Sequence, residues 1–105
     1  MEYEVFVGDR ARDDMLGIVA WIARDSPANA MRWLAQTWEA VESLGRFPLR
    51  CPIAPEAGVR GPEIRHRIVG EYRILFTIRG ERVFILHVRH AARWLRSGGM
   101  SSNER

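Results

Sequence analysis

The chain has 105 residues, 47% hydrophobic and 28% charged, with a formal net charge of +3. That is enough apolar content for one core. No run approaches the ~20 apolar residues that cross a bilayer, and the acidic stretch Met1 to Asp14 has no secretory pattern, so one cytoplasmic domain is expected. The single Cys51 rules out an internal disulfide and has neither a second thiol nor a metal-ligand spacing beside it; it reads as a packed residue, and no metal or cofactor is expected.

All sixteen basic residues are arginine. Arginine stays protonated at physiological pH, so it can clamp a phosphate or carboxylate but is a poor proton shuttle. Proton transfer would fall to His66, His87, His90, a tyrosine or a carboxylate. Residues 1–63 hold ten acids and seven arginines, whereas residues 64–105 hold three acids and nine arginines. The C-terminal half is therefore the basic half, as a surface for nucleic acid or for an acidic protein segment would be, or simply a solvated face.

In chain order, Tyr3 to Val7 reads as a short strand with Tyr3, Val5 and Val7 on one side, joining the sheet. Asp9 is placed to cap a helix reaching about Arg24, whose inward stripe is Ala11, Met15, Ile18, Val19 and Ile22. Trp21 lies off that stripe, where an aromatic meets a neighbouring helix or a partner. Asp25-Ser26-Pro27 stops one helix and starts another, Ser26 suiting the cap and Pro27 the first turn. The second helix is expected from Pro27 to about Leu44, with Met31, Leu34, Trp38 and Val41 inward, Ala30 and Trp33 on a flank, and Gly45 ending it. The short connection makes the pair an antiparallel helical hairpin.

Residues 46–63 carry Pro48, Pro52, Pro55, Pro62, Gly58 and Gly61 and read as a loop across one edge. Ile64 to Val69 reads as a strand with Ile64, His66 and Ile68 on one side and Arg65, Arg67 and Val69 on the other. Gly70-Glu71 turns it into a hairpin, Tyr72 to Arg79 and Arg82 to Arg89, closed at Gly80-Glu81. A two-residue loop sets Ile78 against Val83, Phe76 against Ile85, Ile74 against His87 and Tyr72 against Arg89. Arg73, Leu75, Thr77, Phe84, Leu86 and Val88 then share the opposite face, where Arg73 is a fixed charge among apolar residues. Trp94 and Leu95 suit a last helical turn, and residues 97–105 read as a flexible tail behind a single domain, 1–96. The predicted architecture is α+β: an N-terminal strand, a two-helix hairpin, then a three-stranded antiparallel meander, with the helices on one face of a curved sheet. The other face is expected to be open, with a groove of Arg65, Arg67 and Arg73 and with His90 and Arg93 alongside.

Several segments together resemble the RelE/ParE superfamily, the toxic halves of bacterial type II toxin-antitoxin pairs, and its ParE-like members in particular. They are the helical hairpin broken at Asp25-Ser26-Pro27 with Ala30 after it, the exit Leu44 to Phe47-Pro48, the strand Tyr72-Arg73-Ile74-Leu75-Phe76, and Val88-Arg89-His90-Ala91-Ala92-Arg93. The resemblance spans roughly residues 3–95 and implies one of two actions. RelE-like members cleave messenger RNA in the ribosome, a reaction that needs a proton acceptor, a proton donor and cations around the phosphorane. ParE-like members poison DNA gyrase by binding and need no acid or base.

Carried onto this chain, the nuclease pattern puts Arg65 and Arg67 near two basic positions and Arg73 at the central arginine, leaving His66 or His90 for proton transfer. Ala91, Ala92 and a polar tail from Ser97 stand where nuclease branches place an arginine and a tyrosine, or a histidine-tyrosine pair. The resemblance thus favours gyrase binding through Arg73, Arg89, His90, Arg93 and Trp94. It also implies a partly disordered cognate antitoxin in a hetero-oligomer, with Trp21, Trp33 and Trp94 as its contacts and Trp38 in the core. Each of these residues also has a structural reading: Arg73 as a bridge to Glu63 or Glu71, His87 as a satisfied core histidine, and the tryptophans as internal packing.

Overall fold

In a computed structural model, described for residues 2–55, 57 and 63–91, the chain runs β1 (Glu4–Val7), α1 (Asp9–Ala23), α2 (Pro27–Ser43), a 3-10 turn (Pro48–Arg50), β2 (Arg65–Val69), β3 (Tyr72–Arg79) and β4 (Arg82–His90). The four strands form one sheet in the order β1-β4-β3-β2. The meander is antiparallel as expected, while β1 joins β4 in parallel with Val5 opposite Val83 and Val7 opposite Ile85. This is the α+β arrangement read from the sequence, with a mixed sheet.

Local chemistry explains most element ends. The Ser26 side chain accepts the Asn29 backbone N–H at 3.1 Å and Pro27 fills the first turn, so α2 starts where the sequence placed it. Asp9 is not the cap of α1; extended Gly8 is, and Asp9 opens the first turn, where its charge suits the helix dipole. Gly70 and Gly80 have φ of +60° and +59°, the conformation that lets two-residue loops follow the twist of their strands.

Phe76, Ile74, Ile85, Val83 and Leu44 are fully buried between the helices and one sheet face, with Met15, Trp33, Val41 and Val88 beside them. On α1 the expected stripe faces this core. On α2 the stripe is rotated: Ala30, Trp33, Thr37, Ala40 and Val41 are buried, whereas Met31 is 60% and Trp38 37% exposed. The small residues let α2 lie close to the sheet, and Thr37 satisfies its hydroxyl by donating to Trp33 O at 2.8 Å.

The opposite sheet face is also less open than expected. Arg73 is 4% exposed, and Leu75 and Thr77 are buried, with Thr77 donating to Glu63 O at 2.7 Å. The loop before β2 contributes an isolated bridge from Ile53 to Arg65.

The β3–β4 register departs from the simple hairpin. Near the turn, Ile78 meets Val83 and Phe76 meets Ile85 as predicted. Leu86 is then an extra residue, a β-bulge, so that Leu75 faces His87, Ile74 faces Val88, Arg73 faces Arg89 and Tyr72 faces His90. Val88 consequently lies in the core and not on the Arg73 face.

Candidate functional site

The predicted site residues divide between the two faces of the sheet. On β2, Arg65 pairs with Phe76 and Arg67 with Ile74, so both arginines share the side of the core residues. His66 pairs with Leu75 and Ile68 with Arg73, on the other side. The groove of Arg65, Arg67 and Arg73 is therefore not assembled on one face.

Arg65 is occupied by the loop that precedes its strand. It donates to Cys51 O at 2.6 Å and to Leu49 O, and it pairs with Glu63 at 3.2 Å. Arg67 is exposed and takes no carboxylate among the described residues; it lines a pocket of about 370 Å³ with Phe47, Arg50, Cys51 and Ile68. The Arg50 guanidinium lies 4.3 Å from the Phe47 ring centroid. Burial pushes the Cys51 thiol up from its ordinary value, with the charges of Arg67 and then Arg65 opposing the shift.

Arg73 Nη1 lies 3.1 Å from His66 Nδ1. A guanidinium can only donate, so Nδ1 accepts and a neutral His66 carries its hydrogen on Nε2. Arg89 stands opposite Arg73 across the ladder and is exposed. Arg89 is thus the solvent-facing member of this pair of like charges, with Arg73 buried at 4% exposure.

His90, its neighbour on β4, points to the other side. Its ring is edge-on to Tyr72 at 5.1 Å, and Tyr72 is edge-on to Trp33 at 5.2 Å. His90 Nε2 lies 3.3 Å from Glu71 Oε1, and a carboxylate accepts, so Nε2 carries the proton. These rings form part of a pocket of about 480 Å³ between the start of α2 and the β2–β3 turn, with Trp21 on its rim. Glu71 was expected as a partner of Arg73 and Tyr72 opposite Arg89; both instead meet His90, and their place beside the Gly70 turn, opposite the end of β4, was the signal.

The tryptophans separate as well. Trp21 is 64% exposed on α1, near the Arg24 guanidinium at 5.2 Å. Trp33 is 8% exposed and belongs to the core, with its indole N–H buried and lacking an acceptor among the described residues. Trp38, expected in the core, is partly exposed on the outer side of α2 with Met31. His87 is satisfied but half-buried at the rim of the core, its Nδ1 3.3 Å from Asp14 Oδ2. Arg93, Trp94 and the tail from Ser97 lie outside the described residues.

Among the described residues no group of three or more histidine, cysteine or acidic side chains is arranged to hold a metal ion, and no helix is long and apolar enough to cross a membrane. The family model of the ParE toxin of the type II toxin-antitoxin system, parDE, matches residues 5–94. Among solved structures, the chain is similar to one in the chromosomal ParDE toxin-antitoxin system from P. aeruginosa, with 17% identity and a TM-score of 0.69 over 85% of this chain and 96% of that one. It is also similar to one in the toxin-antitoxin complex RelBE2 from Mycobacterium tuberculosis, with 26% identity and a TM-score of 0.52 over 86% of this chain and 99% of that one. The first likeness is one of fold. No curated protein matches the chain.

Proposed function

The chain belongs to the ParE toxin family of type II toxin-antitoxin systems, and from that premise we propose that it arrests bacterial growth by binding DNA gyrase, and that a cognate antitoxin neutralises it. The observation that carries binding over catalysis is the division of the cations. Cleaving RNA needs cations, an acid and a base around one phosphate. Here Arg73 and His66 face one side of the sheet while Arg65, Arg67 and His90 face the other, and Arg65 is held by loop carbonyls. Binding asks only for a shaped basic surface. Exposed Arg89, paired across the ladder with the buried Arg73, is the residue to supply it on that face, with His90 on the opposite face at the end of β4; Arg93 and Trp94, the other expected contacts, lie outside the described residues.

The antitoxin has a separate surface. Leu16 and Trp21 on α1 and Met31 and Trp38 on α2 are exposed apolar side chains on the helical hairpin, a surface suited to an amphipathic helix. Trp33, buried under that layer, supports the fold instead. Trp94 remains a candidate contact.

The test is supercoiling by purified gyrase beside cleavage of ribosome-bound messenger, each with the wild type and with Arg89→Glu. Inhibited supercoiling, weakened by the substitution and reversed by the antitoxin, is the expected result. Cleaved messenger with unaffected supercoiling would replace this reading with the ribonuclease one, in which Arg73 and His66 at 3.1 Å are the reacting pair. Growth arrest with neither effect would rule out both targets.

A further inference from the structure

We propose that Asp14, on α1, is the positioning residue that sets the register of the last turn of β4 and so decides which sheet faces Arg89 and His90 occupy. The inference rests on the fold and not on the identity of the target. Past the bulge at Leu86, Ala91 N–H donates to Glu71 O at 2.9 Å. Ladder bonds on an antiparallel strand alternate, so His87, Arg89 and Ala91 bond towards β3 while Val88 N–H points away from it. β1 cannot receive that donor, because its pairing with β4 ends at Ile85, where Gly8 N–H bonds to Ile85 O. Asp14 Oδ2 accepts it at 3.0 Å and also meets His87 Nδ1 at 3.3 Å.

The bond discriminates between registers. Without the bulge, Val88 would stand opposite Arg73 with its N–H turned into the β3 ladder, and Asp14 would have no Val88 donor to take. Arg89 would stand opposite Tyr72, its charge turned towards the core side, and His90 would leave the Tyr72 ring. Both arrangements satisfy the β3–β4 ladder; the carboxylate on α1 favours only the observed one. A charge-assisted bond of this kind is among the stronger ones a backbone donor can make.

The experiment is NMR on the full chain. In the observed register, Tyr72 with His90 and Ile74 with Val88 are pairs not bonded to each other, whose Hα atoms lie close enough for strong cross-peaks. Asp14→Ala is expected to weaken both cross-peaks and to speed exchange of the Val88 amide about tenfold or more, while Asp14→Asn, which keeps an acceptor, retains them. Deleting Leu86 removes the bulge but keeps the downstream pairing, so adding Asp14→Ala to that deletion should leave both cross-peaks in place. The proposal is overturned if Asp14→Ala in the parent chain leaves cross-peaks and exchange unchanged, or if Asp14→Asn loses them as fully as alanine does. Should Asp14→Ala fail to fold in the parent chain, folding of the double variant supports the proposal and its failure to fold overturns it.

Discussion

Trp33 illustrates how far a single side chain can be read from sequence. At the edge of an apolar run it looked like a contact for a partner, yet it is buried against Tyr72 with its indole N–H lacking an acceptor among the described residues. Two opposed effects then govern its replacement. Trp33→Ala removes a large core side chain and should cost about 3–5 kcal/mol. Trp33→Phe loses less area and also removes a buried donor whose lack of a partner costs about 1–3 kcal/mol, so its net effect should stay within about 1 kcal/mol. Chemical denaturation of both variants checks this, and a phenylalanine variant as unstable as the alanine one would show that the N–H has a partner after all. Arg73 was legible as a misplaced charge, and its contact with His66 was not expected. Yet the two-residue Gly70-Glu71 loop sets Ile68 against Arg73 and His66 against Leu75, so the face His66 shares with Arg73 follows from the same register rule as the next hairpin, and the expected groove of Arg65 and Arg67 with Arg73 does not.

At the scale of elements, punctuation was legible and packing was less so. Ser26-Pro27, Gly70 and Gly80 act through their own backbone and side-chain chemistry, which no tertiary contact has to supply. Ser26→Ala should accordingly cost about 1 kcal/mol, seen as a lower melting temperature, with Ser26→Asp close to the wild type. The face of α2 was misread because two stripes had helical spacing. Met31, Leu34, Trp38 and Val41 are the larger side chains, but the sheet accepts the flatter Ala30, Thr37 and Ala40, and close approach decided between them. The bulge in β4 was illegible for a different reason. Alternation alone extends an even ladder and gives no signal for an inserted residue, although that ladder would turn Arg89 towards the core and Val88 out of it; the observed register also takes up a carboxylate more than seventy positions earlier in the chain.

Among the described residues, the strand arginines lie on both sheet faces and few ion pairs are committed to the interior. The pairs Arg65 with Glu63, Arg82 with Glu4 and His90 with Glu71 each include an exposed partner, and pairs of that kind contribute about 0–1 kcal/mol. Raising the ionic strength from about 0.1 to about 1 M should therefore barely move the melting temperature. For an antitoxin of net negative charge it should also slow association by about tenfold or more, which stopped-flow fluorescence of the exposed Trp21 can follow. The parallel placement of β1 has a consequence for the order of assembly. β1 has no strand to pair with until Arg82 to Ile85, more than seventy positions later in the chain, have been added. The helical hairpin needs only local contacts and can form early, but Val5 and Val7 have no strand to pair with until β4 arrives, and contacts so distant in sequence are the slow ones to close. The sheet therefore cannot close, nor the surface at the end of β4 form on it, before the helical hairpin and the whole meander have been made.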